Sequence, residues 1–230
     1  MYFLLIFSMK RLYLIFSVRV FMAVWLVLSA AIAVSQPVKF RLYLIGDAGK
    51  TSVATEGIPQ LIQQSYRPEV PSGVVFLGDN IYPKGMPAHG EKGRDEAEEI
   101  LKAQVGLFRD ASVPIIFVPG NHDWKKGKSE GWQYIQNQQQ WLDSLHLRHV
   151  RMLPEGGCPG PVEVVLSDGL VLLVIDSQWF LHPWNKPAGS ESPCDVKEPA
   201  DLFIQLQDMI RGHAGKQIVV AAHHPIFTYG

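Results

Sequence analysis

Four short segments occur in one order along the chain: Gly46-Asp47-Ala48-Gly49, Gly78-Asp79-Asn80-Ile81-Tyr82, Gly120-Asn121-His122-Asp123 and Val220-Ala221-Ala222-His223. Each brings a hard oxygen or imidazole donor to the place where a short apolar run stops. A β-strand that ends in such a residue directs it into the crevice beyond the sheet rather than into the core. The four together constrain the fold to one that gathers several strand ends at one edge, and they describe a two-metal hydrolytic site there.

The rest of the pattern agrees with that constraint. Residues 40–45, 74–77, 115–118 and 218–222 are short, apolar and bounded by Gly, Pro or Asn, as buried strands are. Between them, 53–66, 95–108, 130–145 and 201–211 have helical length and mixed polarity. Repeated strand, helix, strand units build a parallel sheet. A hairpin signal at Ser167-Asp168-Gly169, between 162–166 and 170–175, adds an antiparallel pair and makes the architecture mixed α/β. Two stretches rich in Gly and Pro, 81–93 and 180–199, read as site-edge segments or lids.

Length and composition allow one core. The chain has 230 residues, 47% hydrophobic and 19% charged, which is enough apolar content for a single domain. Residues 1–35 read as an export signal, with Met9 as an alternative start. Lys10 and Arg11 precede an apolar run over 20–34, and Ala33-Val34-Ser35 is a small-residue cleavage pattern before Gln36. An uncleaved anchor over 12–34 is the alternative. The expectation is therefore a 36–230 domain that is periplasmic or secreted, with any membrane contact confined to the leader. Without the leader, 18 basic and 22 acidic residues remain, a net charge of −4 that gives no reason to expect nucleic acid as a partner. Cys158 and Cys194 lie in loop-like contexts, and both a bridge and two unpaired thiols are open readings.

The donors differ in what each can do. Asp47 and Asp79 repeat one geometry after two strands, and two converging carboxylates repel unless cations neutralise them. Tyr82, three residues past Asp79, can bring its phenol oxygen to the same centre. It would ionise only beside a strongly acidic cation such as ferric iron, and a plain loop aromatic is the competing reading. Asn121 can ligate through oxygen without adding charge. His122, held off the metal, can protonate a leaving oxygen. Asp123 either orients that ring or caps the next segment. His223 continues its strand and faces the metal, which leaves His224 next to it or facing substrate. Lys50 and Lys84 flank the site, and Trp124, Trp179 and Trp184 either line the crevice or pack its rim. Gly49-Lys50-Thr51 is not the end of a nucleotide-binding P-loop, since Leu44 stands where that motif needs Gly.

The ordered set Gly-Asp-x-Gly, Gly-Asp-x-x-Tyr, Gly-Asn-His-Asp and Val-x-x-His resembles the calcineurin-like metallophosphoesterases. Tyr82 makes it similar to the purple acid phosphatase branch, in particular the small tartrate-resistant type. The resemblance implies a sandwich of two mixed β-sheets flanked by helices. It implies Asp47 and Tyr82 on a first metal, Asp79 bridging, Asn121 and His223 on a second, and His122 as the catalytic acid; His224, from its place beside His223, is taken toward substrate. Iron is implied at the Tyr82 position, and iron, zinc or manganese at the other. The implied reaction is hydrolysis of a small phosphate monoester by in-line attack of a metal-bound hydroxide. A metal-dependent phosphodiesterase or nucleotide hydrolase, or a non-catalytic scaffold, are the alternative readings. The family's Gly-His-x-His motif, which gives one His to each metal, does not occur before Gly230. The expectation drawn from this is a fragment of a longer chain with poor activity.

Overall fold

The computed structural model describes residues 20–22, 37–50, 57–108, 112–225 and 227. The chain divides into two compact units, Met1–Val38 and Lys39–Gly230. In the first, the described residues Val20, Phe21 and Met22 are helical and exposed. The remainder of the proposed leader lies outside the described residues. Among the described residues no helix is long and apolar enough to cross a membrane.

The second unit is an α/β sandwich. Its first sheet is wholly parallel, in the order β1-β2-β3-β4, from β1 (Arg41–Ile45), β2 (Ser72–Phe76), β3 (Ile115–Phe117) and β4 (Val150–Met152). The crossovers carry helices α1 (Ile58–Ser65), α2 (Arg94–Val105) and α3 (Gly131–Ser144). The second sheet joins β5 (Val162–Ser167) and β6 (Leu170–Val174) antiparallel, through the expected hairpin, and β6 to β7 (Gln217–Ala221) in parallel. Two further helices, α4 (Ser177–Leu181) and α5 (Pro199–Gly212), fill the connection from β6 to β7.

The two-residue period of the strands decides which side chains meet. On β2 and β3, Val74, Phe76, Ile115 and Phe117 face the helices. There Phe76 and Phe117 stack with ring centroids 4.7 Å apart. The intervening Val75, Ile116 and Val118 face the second sheet and pack on Leu172, Val174 and Ala221. Covered on both faces, β2 is buried along its whole length, and its one polar side chain, Ser72, bonds the Val70 carbonyl. This packing carries the carboxyl end of β7 over to the carboxyl ends of β1, β2 and β3.

Three local features depart from the sequence reading. The short strand β4 and the five-residue α4 carry too little pattern to announce themselves. The helix expected over 53–66 is present from Ile58, and 51–56 lies outside the described residues. Of the readings offered for 81–93 and 180–199, the site edge holds for the first, where Tyr82 and Pro83 touch Asp47, Asp79 and His122, and neither stretch is a free lid. Ile81 and Met86 are buried and the Met86 carbonyl accepts a bond from Asn137 Nδ2, while in the second stretch Cys194 and Val196 are buried. Cys194 is bridged to Cys158, with an S–S distance of 2.01 Å, so the bridge is the reading that holds.

Candidate metal centre

The loops beyond β1 and β2 are joined by backbone bonds, Asp47 N–H to Gly78 O (3.1 Å) and Gly49 N–H to Asp79 O (3.0 Å). Asp47 and Asp79 both take left-handed backbone, each with φ 54°. That conformation is uncommon outside glycine and costs on the order of 1 kcal/mol, so its repetition at two strand ends marks a place the fold holds under strain. Glycine is required where the third loop meets the second. A Cβ on Gly120 would lie 2.2 Å from the Asp79 nitrogen and 2.4 Å from its Oδ1, so any side chain there would push Asp79 away.

This backbone brings all the proposed donors together. Tyr82 Oη lies 2.6 Å from Asp47 Oδ1 and 2.8 Å from Asp79 Oδ2. Three oxygens thus share one phenolic proton between two carboxylates, and a single O–H cannot satisfy both. Burial first, then the bonds to Asp47 and Asp79 and their negative charge, push the Tyr82 phenol above its ordinary value. A cation among these oxygens would reverse that effect.

On the other side of Asp79, His223 Nε2 lies 3.1 Å from Asn121 Oδ1 and 3.5 Å from Asp79 Oδ1. The Leu77 carbonyl, 2.9 Å from His223 Nδ1, can only accept, so Nδ1 carries the proton and the Nε2 lone pair faces two oxygens. An imidazole whose outer N–H is tied to a backbone carbonyl while its other nitrogen meets oxygen donors is the usual arrangement of a metal-ligating His. Hard oxygens with one imidazole suit Fe, Mn or Zn. Among the described residues no group of three or more His, Cys, Asp or Glu is placed to hold a metal ion. Each donor set includes a phenol or an amide oxygen, and the residues fit a cation only when these are included.

His122 stands beside these sets. Its backbone N–H donates to Asp79 Oδ1 (2.8 Å) and its Nδ1–H to the Pro83 carbonyl (2.8 Å). Its Nε2 is 3.8 Å from Asp79 Oδ2, and its ring lies against Tyr82 with centroids 4.1 Å apart.

With this geometry in view, the family model for calcineurin-like phosphoesterase matches residues 40–230. The chain belongs to the calcineurin-like phosphoesterases. That family hydrolyses phosphoesters with metal, and its members generally hold two metal ions. Neither the curated proteins nor the solved structures gave a match.

Within this phosphoesterase, two groups need correction. Asp123 does not orient the His122 ring. It is fully buried, and its carboxylate accepts the N–H groups of Gly120 (2.8 Å), Asn80 (3.1 Å) and Ile81 (3.2 Å), together with Asn80 Nδ2 (3.1 Å). It ties the second motif to the third. Burial pushes it up to about 8, against the lowering effect of Gly120 N–H, with Asp79 adding to the rise. The unpaired N–H groups of two sharp turns were the signal that a buried acceptor must sit between them. Trp124 and Trp179 are core residues and do not line the crevice, whereas Trp184 is exposed.

The sequence reading also missed Asp176 and Ser177, although an acid at the end of the apolar run 170–175 followed by Ser is a helix-start signal. Asp176 caps α4, accepting from Gln178 N–H and Trp179 N–H, and accepts Trp124 Nε1–H at 2.8 Å. Burial pushes it up to about 7, opposed by these donors and by Lys186. Because the folded value exceeds the unfolded one of about 3.9, the native state holds this proton more tightly. The stability it contributes is complete below about pH 4 and is lost as pH climbs toward 7. Between pH 8 and pH 5 the unfolding free energy of wild type should therefore gain about 2 kcal/mol relative to Asp176→Asn. Urea titrations at the two pH values measure this, and an unchanged difference would contradict it.

Proposed function

We propose that this phosphoesterase is a phosphomonoesterase of the purple acid phosphatase kind, working with two cations. Asp47, Tyr82 and Asp79 hold one, with iron the fitting ion beside a phenol. Asp79, Asn121 and His223 hold the other, as iron, zinc or manganese. The observation that carries this reading is the division of one carboxylate: Asp79 Oδ2 meets the Tyr82 phenol while Oδ1 meets His223.

When bound, the cation pair supplies an activated water-derived nucleophile and offsets charge on the phosphoryl oxygens. The chain's own residues do the rest. Pro83 O fixes the proton of His122 on Nδ1, so Nε2 is the atom that carries a second proton and delivers it to the departing alkoxide. The Asp79 carboxylate accepts the His122 backbone N–H, which fixes that acid relative to the metal donors.

The substrate in this reading is a small-molecule phosphate monoester. The test combines metal content, colour and turnover. Loaded with ferric iron, the protein should show a visible phenolate-to-iron band that vanishes in Tyr82→Phe. Asp79→Ala should fall from two bound cations per chain to one or none, and should lose at least about a hundredfold in hydrolysis of p-nitrophenyl phosphate. A colourless manganese form that stays fully active in Tyr82→Phe, or preference for bis(p-nitrophenyl) phosphate, would favour a phosphodiesterase instead. We also propose that the chain is exported, a reading the Cys158–Cys194 bridge supports because disulfides persist in oxidising compartments. A mature protein that does not begin at Gln36 by mass would count against cleavage of the leader.

A further inference from the structure

The fourth motif is followed by a second imidazole, His224, which reaches a helix that none of the four motifs includes. His224 Nδ1 lies 2.9 Å from Ser177 Oγ, and the same hydroxyl accepts the His224 backbone N–H at 3.0 Å. Ser177 opens α4. Its position is fixed by the buried cap Asp176, which is itself bonded to the indole of Trp124, two residues past His122. The Ser177 hydroxyl thus ties α4 to the fourth motif, while the Asp176 carboxylate ties α4 to Trp124, next to the third.

The hydrogen-bond inventory of that hydroxyl decides the state of the ring. A serine has one proton to give and lone pairs to accept. Ser177 Oγ already accepts from the His224 N–H, and among the described residues its only other partner is His224 Nδ1. Its proton is satisfied only if Nδ1 is the acceptor. A neutral His224 then carries its hydrogen on Nε2, the ring nitrogen without a partner among the described residues. Its ring stands edge-on to His223, with centroids 4.8 Å apart, which places the ring beside the proposed metal donors. A phosphoryl oxygen, which can only accept, is the group an Nε2–H donor recognises.

We infer that Ser177 is a positioning residue that locks His224 in the Nε2–H tautomer, so that the ring donates to a non-bridging oxygen of the substrate phosphate. The inference rests on the phosphomonoesterase reading for its ligand, but the locked tautomer is a property of the chain alone. It is tested by nitrogen-15 NMR of histidine-labelled protein, loaded with zinc as a diamagnetic cation, with inorganic phosphate as the probe. Wild type and Ser177→Thr, which keeps the hydroxyl, should show His224 as the Nε2–H tautomer and a shift of Nε2 on adding phosphate. Ser177→Ala should show mixed tautomers and bind phosphate about tenfold more weakly, the scale of one hydrogen bond to a charged group. In turnover, the alanine variant should raise KM for p-nitrophenyl phosphate more than it lowers kcat.

A wild-type His224 protonated on Nδ1, or a tautomer unchanged in Ser177→Ala, would overturn the inference. Equal phosphate affinity in all three proteins would overturn the role in binding. Loss of phosphomonoester turnover from wild type with the tautomer intact would instead fail the enzymatic reading, so the two failures are distinguishable.

Discussion

Asp123→Ala is expected to destabilise the fold by about 3–5 kcal/mol, the cost of leaving several buried donors without their acceptor. Four donors converge on this carboxylate: the backbone N–H groups of Gly120, Asn80 and Ile81, and the Asn80 side-chain amide. The three backbone N–H groups become buried donors without an acceptor, at about 1–3 kcal/mol apiece before relaxation and water entry reduce the sum, while the Asn80 amide keeps its bond to the Val118 carbonyl. A loss of that size is comparable to the whole margin of a small domain, about 5–15 kcal/mol. Asp123→Asn should fall between, because one amide oxygen can still accept from part of the set. Since the same bonds hold Asp79 next to Gly120, cation affinity should weaken with stability. Urea unfolding measures the first and calorimetric metal titration the second. An alanine variant within 1 kcal/mol of wild type would show that the two loops hold their geometry without this anchor.

Joint replacement of Cys158 and Cys194 by serine should cost a similar amount for a different reason. The bridge spans 36 residues of sequence, and cross-linking a loop of that length removes about 3–4 kcal/mol worth of freedom from the unfolded chain. In the native state the bridge anchors the stretch 182–198 between α4 and α5, where Val196 packs with Ile175 and Leu202. The serine pair should melt on the order of 10 °C lower, and dithiothreitol should have that effect on wild type and none on the variant. Equal melting temperatures with and without reductant would mean that the constraint is already present in the unfolded ensemble.

The two expectations fall on different sides of what could be read in advance. Strands β1, β2, β3 and β7, and the hairpin of β5 and β6, were legible because a buried strand needs an apolar run and a turn needs Gly, Asn or Asp. So was the order of the donors. Strand β4, with three residues, and helix α4, with five, fall below the length at which a period can register. Asp123 was visible as a residue of the third motif, but its partners Asn80 and Ile81 are more than forty positions away, and nothing local distinguishes an anchor from a cap. Asp176 and Ser177 lie at the end of the apolar run 170–175, where the sequence signals only a helix start, and their contacts with Trp124 and His224 give them a role.

The sequence by itself determined the class of fold, the family and which residue types stand at the strand ends, because these follow from local period, turn chemistry and donor chemistry. Tertiary structure alone decided that Asp79 divides its two oxygens between separate donor sets, that Cys158 meets Cys194, and that His224 answers to Ser177. Distances of a few ångström between residues tens of positions apart are set by how two sheets pack, and no local pattern encodes them.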